Sequence, residues 1–405
     1  MNVLYISYDG ALDPLGSSQI ISYLIDLTRK GIKFTLITYE KKEKMEDMDR
    51  VRNLKKILEN QGIKWEALRY HKSPTLPATT LDIVMGIIKG AAIVIRDRIN
   101  FIHARSFVGA IPGFLLAKLF GLKFIFDMRG FWADERVDGN IWKTRGFLYK
   151  FAKWWEKLFL LHADWVICLT QEAKIIAANF PYLRKKKILM DVIPTCVDTS
   201  KFTIRNKDTA LLKKINLQDR FVFVYFGSIG TWYMLDEMIN FFKISKRTNP
   251  RSFFLLLSPQ KDIVLEKMIK NNVRQEDYFI DYVPYKELPF WLSLADASIS
   301  FIKPAYSKRS SCPTKFSEAL ACGLPVVINR GIGDTDKFVN NFNIGVVVKE
   351  FSDEEYIKAI NQLSRMLEEG DNLKATCRKV AEDCFSLTGG VEKYWKIYQK
   401  LIMPK

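Results

Sequence analysis

Nineteen residues late in the chain, 310–328, predict a short helix followed at once by a buried strand. Ser311 or Cys312 suits the N-cap, and Pro313 suits the first helical position, where its missing N–H is not needed. Gly323 is expected to end the helix, and the apolar Val-Val-Ile run that follows predicts a strand covered on both faces. A helix that leads straight into such a strand is typical of a parallel α/β sheet.

The start of this helix is also a candidate anion-binding site. Free N–H groups at a helix N-terminus attract negative charge, and Thr314 and Lys315 lie in the first turn. Glu318 follows Pro313 at roughly 7 Å along the axis, given about 1.5 Å per residue. A diphosphate at the helix start would therefore bring an attached ribose near this carboxylate. An ordinary amphipathic helix–strand unit without a ligand is the alternative, and this segment alone leaves both open.

Strands and helices alternate along the chain, which predicts two doubly wound α/β domains. The predicted strands are, in order, 3–7, 34–38, 101–104, 124–126, 165–169, 221–226, 253–257, 297–301 and 325–328. Helices are expected over 19–29 and 110–120, and an aperiodic stretch at 193–207 separates two groups of strands. We therefore expect an N-terminal domain over 1–200, a C-terminal domain over 201–386, and a closing helix within 387–405, at 391–402.

Length, charge and cysteine usage limit the class of protein. The 405 residues exceed one typical core and suit two domains. The net charge of +17 favours anionic partners, but the basic excess is spread over both halves, so we expect no nucleic-acid partner. The six cysteines form no CxxC pair and the three histidines are scattered. This pattern argues against structural zinc and favours reduced thiols in the cytoplasm.

Two features concern membranes. We expect no signal peptide, because the apolar residues 2–6 lead directly into an acidic loop rich in glycine and proline. We also expect no membrane span, because the most apolar stretch, 81–95, contains Asp82 and Lys89. The segment 147–161, in contrast, predicts a helix with a wide aromatic face and flanking lysines, as surface-binding helices have. A core-packed helix with its lysines in solvent is the alternative.

Ligands of parallel α/β sheets bind at the carboxyl ends of the strands, which directs attention to the loops there. In the first loop, Gly16 offers bare backbone to a phosphate, or is a plain loop glycine. No GxGxxG is present, so a nicotinamide dinucleotide is not expected. His103 and Arg105 end the third strand. A histidine there acts as a base, donates to a substrate hydroxyl, or is structural, and Arg105 is a candidate acceptor-side residue.

Two more loops carry candidate residues. The stretch 127–135 interleaves charged and aromatic side chains, which is typical of a sugar or acceptor surface; its candidates are Arg129, Trp132 and Glu135. In the second domain, Gly227 and Ser228 follow the first strand, where glycine lets a phosphate approach. Basic residues near the predicted helix start supply charge for a phosphate site: Lys303, Lys308, Arg309 and Lys315.

Over nearly its whole length, the chain resembles the family 4 retaining glycosyltransferases of the GT-B fold. The resemblance is carried by LGSSQ at Gly16, IHARS at His103, VIPTCVD at 192–198, FGS at 226–228 and PTKFSEALACGLPVV at 313–327. It implies two Rossmann-like domains that face each other across a cleft, with the last helix crossing back to the first domain. It also implies that Glu318 holds the ribose hydroxyls, Gly16 donates its amide to the diphosphate, and His103 lies near the transferred sugar.

The sequence departs from the family pattern at two places. An acidic residue is expected at position 310, eight residues before Glu318, and the chain has Ser310 there. The basic residues expected after the first strand of the second domain correspond to Ser228 and Tyr233. Charge on the leaving group must be neutralised for the bond to break. We expect Lys315, Arg309 and Lys303, with the helix N-terminus, to replace the missing clamp.

The resemblance implies a glycosyltransferase that moves a sugar, normally a hexose, from a nucleotide-diphosphate sugar with retention and without a metal or other cofactor. The basic charge and the 147–161 helix favour a lipid-linked or polysaccharide acceptor in cell-surface glycan synthesis. They place the protein in the cytoplasm, in peripheral contact with anionic lipid at the inner face of the plasma membrane. The alternatives are a catalytically silent partner protein, suggested by the lost clamp, and a sugar-nucleotide epimerase of the same fold.

Overall fold

A computed structural model describes residues 1–402 of the chain. Its contacts divide the chain into two compact units, Met1–Pro194 with Leu387–Lys405, and Thr195–Ser386. The first unit is therefore discontinuous in sequence, because the C-terminal helix returns to it. Each unit is built around one parallel β-sheet.

The first unit contains seven strands and eleven helices of the described chain. The strands are β1 (Asn2–Ser7), β2 (Lys33–Glu40), β3 (Ile63–Arg69), β4 (Phe101–Arg105), β5 (Lys123–Met128), β6 (Trp165–Cys168) and β7 (Met190–Val192). The helices are α1 (Pro14–Gly16), which continues through a π-helical turn (Ser17–Ile21) into α2 (Ser22–Thr28), α3 (Lys42–Met45), α4 (Met48–Asn60), α5 (Thr75–Arg96), α6 (Phe107–Phe120), α7 (Trp132–Asp138), α8 (Phe147–His162), α9 (Gln171–Ala178), a 3₁₀ helix (Pro181–Leu183) and the C-terminal Leu387–Ile402.

The second unit has six strands within the described residues. The strands are β8 (Phe221–Phe226), β9 (Ser252–Leu257), β10 (Tyr278–Asp281), β11 (Ala297–Ser300), β12 (Val326–Asn329) and β13 (Gly345–Val348). The helices are α10 (Thr209–Lys214), α11 (Leu235–Thr248), α12 (Lys261–Lys270), a 3₁₀ helix (Gln275–Asp277), α13 (Leu288–Leu292), a 3₁₀ helix (Tyr306–Ser310), α14 (Thr314–Ala321), α15 (Thr335–Phe342), α16 (Asp353–Leu367) and α17 (Asp371–Phe385). The C-terminal helix of the first unit is α18.

Both sheets are doubly wound, as predicted. The strand order is β3-β2-β1-β4-β5-β6-β7 in the first unit and β10-β9-β8-β11-β12-β13 in the second. The order reverses between β1 and β4 in one sheet and between β8 and β11 in the other. The crevice outside the carboxyl ends at such a reversal is where α/β proteins place their ligands. The loops after β1, β4, β8 and β11 are therefore the ones that matter for function.

The segment 310–328 folds as a helix and a buried strand, with one difference at its start. Pro313 is the N-cap rather than the first helical residue, so α14 begins one position later than predicted, and neither Ser311 nor Cys312 caps it. Ser311 instead closes the preceding 3₁₀ helix as its C-cap residue. Gly323 has φ +76°, the left-handed conformation that ends a helix, and every residue of β12 is buried.

The helix α5 corrects the prediction about membrane-length segments. Its 22 residues are long and apolar enough to cross a membrane, by length and composition only. The prediction that Asp82 and Lys89 interrupt the apolar stretch is wrong, because two charged residues leave the helix apolar enough on average. In the structure Asp82 is buried and accepts hydrogen bonds from the Tyr8 hydroxyl and the His71 amide, so this part of α5 packs on its own unit.

The C-terminal helix α18 packs against the first unit, which confirms the predicted return of the chain. It begins at Leu387, four residues before the predicted start. Its side chains contact α2 and the sheet: Tyr394 meets the ring of Tyr23, and Tyr398 meets the rings of Phe34 and Phe101. Tyr398 is fully buried, so the helix is part of this unit's interior.

Candidate active site

The second unit holds a buried lysine at the start of α14. Lys315 is only 8% exposed, and its ammonium lies 3.7 Å from the ring centre of Tyr233 and 5.3 Å from that of Tyr225. Its ammonium makes cation–π contacts with these rings, and no carboxylate within residues 1–402 forms an ion pair with it. Cation–π contacts hold the charge in place but do not neutralise it. The site is therefore electropositive and suited to an anion.

Gly227 makes room for this lysine. Its φ of +98° is unfavourable for residues with a side chain, and a Cβ there would lie 2.8 Å from Cε and 3.0 Å from Nζ of Lys315. Ser228 follows, and its carbonyl accepts a hydrogen bond of 2.6 Å from the Tyr225 hydroxyl. The end of β8, with Gly227 and Ser228, thus lies against the start of α14. The sequence predicted that these residues lie close together.

Glu318 lies one turn further along α14 and is buried. Its Oε1 accepts a hydrogen bond of 2.9 Å from the Tyr285 hydroxyl. Burial raises the pKa of Glu318 to about 7, although the Tyr285 hydrogen bond and the charge of Lys315 act in the opposite direction. Near neutral pH the carboxyl group can therefore be present in either protonation state, and its second oxygen is available to a ligand hydroxyl.

The other predicted donor residues take different positions. Ser310 is buried, and its hydroxyl donates to the Ser307 carbonyl at 2.6 Å, closing the 3₁₀ helix before α14. Thr314 is the first residue of α14 and is half-buried, while Lys303 and Arg309 are exposed. Lys308, which is buried, has its ammonium 3.7 Å from the ring centre of Trp232. The buried positive charges in this segment therefore belong to Lys308 and Lys315, whereas Lys303 and Arg309 lie at the surface.

In the first unit, His103 lies in a buried polar network rather than at an open surface. Its Nδ1 is 2.5 Å from the Tyr398 hydroxyl, and its Nε2 is 3.6 Å from Asp127 Oδ2. The ring has no exposed surface, and burial lowers the pKa of His103. With a neutral ring, Tyr398 donates to Nδ1, while the Nε2 proton faces Asp127 at a distance too long for a hydrogen bond. Direct contact of His103 with a sugar would require the side chain of Tyr398 to move.

Asp127 is the centre of this network. Tyr394 donates to its Oδ2 at 3.0 Å, and the guanidinium groups of Arg105 and Arg129 each approach it to 3.6 Å. Burial alone would raise the pKa of Asp127, but the charge of Arg129, the His103 contact and Arg105 lower it well below its usual range. Arg129 and Arg105 thus share the Asp127 carboxylate, and Arg105 also lies 3.9 Å from the Asp9 carboxylate.

The remaining first-unit candidates make contacts of their own outside this network. Trp132 stacks on Phe107 with ring centres 4.5 Å apart, and the Arg136 guanidinium lies 4.9 Å from the Trp132 ring centre. Glu135 follows in α7 and is half-buried. Gly16 is buried, and a Cβ there would lie 2.0 Å from the Gly10 carbonyl oxygen. The close approach of backbone, on its own, accounts for glycine at this position.

Sequence reasoning missed the residue that shapes the loop after β1. Glu40 is fully buried at the end of β2, and its carboxylate accepts from the amides of Ala11 and Leu12 at 2.6 and 3.1 Å. Tyr285, Tyr394 and Tyr398 were likewise not assigned. The only available signal was the spacing of Tyr394 and Tyr398, four residues apart on one helical face.

Comparisons with known families cover both units. The family model described as Glycosyltransferase Family 4 matches residues 19–201, and that described as Glycosyl transferases group 1 matches residues 207–380. The second match contains Gly227, Lys315 and Glu318, and the first contains His103 and Asp127. No curated protein matches the chain.

Solved structures share the whole fold at low sequence identity. Sucrose-phosphate synthase from Thermosynechococcus elongatus is 15% identical with a TM-score of 0.72, and the match covers 99% of each chain. HepE from Anabaena, solved with UDP and glucose, is 13% identical with a TM-score of 0.71, over 98% of this chain and 99% of that one. A UDP-N-acetylglucosamine 2-epimerase from Listeria monocytogenes is 12% identical with a TM-score of 0.62, over 97% and 94%. At these identities the likeness establishes the GT-B fold.

Proposed function

The chain belongs to the family 4 glycosyltransferases of the GT-B fold, and from this we propose that it transfers a sugar from a nucleotide-diphosphate sugar, with retention, onto a lipid-linked or polysaccharide acceptor. The transferred sugar is a hexose, and the product belongs to cell-surface glycan synthesis. The observation that carries the proposal is the buried, unneutralised Lys315 beside Glu318 at the start of α14. The structure of HepE with UDP and glucose supports a donor of this class.

Lys315 and the α14 N-terminus receive the donor diphosphate. A buried ammonium without a carboxylate partner attracts an anion more strongly than a surface lysine, because water screens it less. It also stabilises the negative charge that develops on the leaving group. Exposed Arg309 and Lys303 add long-range attraction, and no metal ion is required for this role. Gly227 allows the phosphates and Lys315 to approach the end of β8.

Glu318 accepts hydrogen bonds from the ribose hydroxyls, and Tyr285 positions it. A carboxylate offers two oxygens, and the Tyr285 hydroxyl occupies Oε1, which leaves the second for the ligand. Retention is supported by the family resemblance, in which the leaving phosphate helps to deprotonate the acceptor. His103 contributes by positioning Asp127, which in turn holds Arg105, since the buried His103 ring is separated from direct contact with substrate.

A sugar-nucleotide epimerase is the second candidate, favoured by the likeness to the Listeria epimerase. A catalytically silent partner is the third, because Ser310 makes a structural hydrogen bond where an acidic donor ligand was expected. An epimerase converts the donor with no acceptor present, and a silent protein binds no donor or does not convert it. Product analysis with and without acceptor therefore separates all three.

The test is a thermal-shift panel of UDP-, GDP-, ADP- and CMP-sugars on the full chain, followed by product analysis. A donor at a hundred times its Kd should stabilise the protein by about 2.7 kcal/mol. Glu318→Ala should weaken the shift, whereas Glu350→Ala, at an exposed carboxylate of the same unit, should not. Absence of a shift with every donor, or equal shifts in Glu318→Ala and wild type, would contradict the proposed donor site.

We further place the protein in the cytoplasm, at the inner face of the plasma membrane, because its proposed donor is a cytoplasmic metabolite and its proposed acceptor is membrane-linked. The support for the membrane part is the basic charge of the chain and the exposed aromatic residues of α8. Fractionation of cells that express the full chain tests it. Recovery in the soluble fraction alone at low salt would count against it.

A further inference from the structure

The helix α8 presents a stripe of large aromatic side chains to solvent. Phe147, Phe151 and Trp154 are 80%, 48% and 51% exposed, and they lie at i, i+4 and i+7 on one face. Their rings are stacked, with centroids 6.1 Å apart between the first two and 6.0 Å between the last two. Three neighbouring exposed aromatics are an unusual feature of a soluble surface, where large apolar patches mark interaction sites.

The stripe is not the result of a loosely packed helix. The opposite face of α8 contributes Phe159 and Leu160 to the core. Lys153 forms ion pairs with the buried carboxylates of Asp134 and Glu156, which tie the middle of the helix to α7. The helix is therefore held in one orientation, and its aromatic stripe faces outward in the folded protein.

Positive charge surrounds the stripe. Between residues 139 and 162 the only acidic residue is Glu156, which is buried, while the basic residues outside that ion-pair network are exposed: Lys143, Arg145, Lys150 and Lys157. A second basic segment, 184–187, reads Arg-Lys-Lys-Lys and is exposed throughout. It lies beside the end of α8, because the Lys186 ammonium donates to the Leu161 carbonyl and Lys157 lies 5.5 Å from the Tyr182 ring centre.

A second apolar stripe lies on the same side of the sheet. The helix α5 packs against α6, and α6 packs against α8, so the three helices form one layer. The outer face of α5 exposes four apolar side chains at 43–60%: Leu81, Val84, Met85 and Ile88. No charged residue of α5 before Lys89 is exposed, because Asp82 is buried. The outer surface of this layer is thus apolar on α5 and both aromatic and basic on α8.

We propose that this surface, named the α8 surface and defined by Phe147, Phe151, Trp154 and the basic segment 184–187, docks on an anionic lipid bilayer. Aromatic and apolar side chains that enter the headgroup region, with cations beside them, are the features that bind helices in a membrane interface. A second copy of the chain fits less well, since two identical basic surfaces repel each other. The proposal rests on the proposed function for its purpose, because a lipid-linked acceptor lies in such a bilayer.

The test is sedimentation of the full chain with phosphatidylcholine vesicles, with and without phosphatidylglycerol. The wild type should pellet with the anionic vesicles only. Arg184→Ser, Lys185→Ser and Lys187→Ser together should lower the partition coefficient by about 100-fold, at about fivefold for each charge. Replacement of Phe147, Phe151 and Trp154 by serine should abolish pelleting. Equal binding to neutral and anionic vesicles, or full binding by either triple variant, would overturn the proposal.

Matched controls exclude general effects of charge and apolarity. Ile263, Leu265 and Ile269 are 47%, 43% and 62% exposed on α12 of the other unit, so their triple serine variant should bind vesicles like the wild type. Arg52, Lys55 and Lys56 are exposed on α4 and serve as the charge control. Loss of vesicle binding in these controls would refute the assignment to α8, as would a wild-type dimer in gel filtration that the aromatic variant converts to a monomer.

Two measurements keep the proposal separate from folding and from donor binding. Every variant should keep the wild-type thermal shift with the nucleotide sugar that the panel identifies, so that a failure of the donor proposal leaves the vesicle result unaffected. In the wild type, brominated anionic lipid should quench tryptophan fluorescence, and Trp154→Phe should remove most of the quenching while it keeps vesicle binding. Quenching that is unchanged in Trp154→Phe would show that another surface meets the lipid.

Discussion

Replacement of Lys315 by methionine should separate donor affinity from stability. The ammonium is buried against the rings of Tyr233 and Tyr225 and has no ion-pair partner in residues 1–402. Methionine keeps the unbranched shape and the contact with both rings. The change therefore removes the charge with little loss of packing, which alanine would not do.

The magnitude follows from the position of the charge. Two unit charges about 4 Å apart interact by about 4 kcal/mol at an effective dielectric constant of about 20. In Lys315→Met, a phosphate oxygen at that distance from the position of Nζ would lose this attraction. Part of the attraction arises only in the transition state, as the leaving group gains charge. We expect kcat/KM for the donor to fall by about 100- to 1,000-fold, as for removal of one oxyanion donor. In the free protein, the substitution removes about 0.5–2 kcal/mol of cation–π attraction. It also removes the cost of burying an unpaired charge, so the two effects on stability oppose each other.

The assay is steady-state transfer with the donor that the ligand panel identifies, together with thermal unfolding of the free protein. Lys349→Met, at an exposed lysine of the same unit, is the control and should leave both quantities unchanged. The expected result is a large loss in kcat/KM with a change in Tm of a few degrees at most. An unchanged kcat/KM would refute the role of Lys315 in neutralising the diphosphate. A loss of activity that accompanies a large drop in Tm would refute the expectation that methionine removes the charge without disturbing the packing.

Three further predictions concern other described contacts. The pKa of Glu318 is raised to about 7 in the folded state, so its stabilising contribution is complete below the unfolded value near 4.5 and is lost as the pH rises through 7. Relative to Glu318→Gln, the wild-type free energy of unfolding in urea should therefore fall by on the order of 3 kcal/mol between pH 4 and 8; a constant difference would contradict the raised pKa. Gly227→Ala should destabilise the protein by about 1–2 kcal/mol and weaken donor binding, whereas Gly230→Ala, with nothing within 4 Å of its Cβ, should do neither. Tyr398→Phe should cost about 1–3 kcal/mol in urea unfolding by leaving His103 Nδ1 without its donor, and no loss would show that the hydrogen bond is not formed.

The sequence predicted the central strands better than the edge strands. The run FVFVYF gave β8 with its observed bounds, because both faces of a central parallel strand are buried and almost every residue is apolar. The edge strand Ile63–Arg69 was missed, since it lacks a continuous apolar run: buried and exposed residues alternate only at its start, and the rest is partly buried or exposed. The three-residue strand β7 is too short to leave any periodicity.

The candidate site was predictable where its residues are close in sequence. Lys315 and Glu318 follow from one helix start, because helix geometry fixes their separation. The partners of Glu318 and His103 were not predictable, since Tyr285 lies 33 residues from the first and Tyr398 lies 295 residues from the second. Such pairs depend on how the chain returns to its own sheet, and no local pattern specifies that. The same applies to Ser310, whose buried hydrogen bond emerges only from the 3₁₀ turn around it.

The return of α18 to the first unit has a consequence for the order of events during synthesis. The residues Thr195–Ser386 form one unbroken segment, so the second unit needs no residue that is made after Ser386. The first unit does, because Tyr394 and Tyr398, which form hydrogen bonds with Asp127 and His103, are made only after the whole second unit. Until then its polar centre stays open to water. A premature stop after Ser386 would therefore damage the half of the protein that was made first.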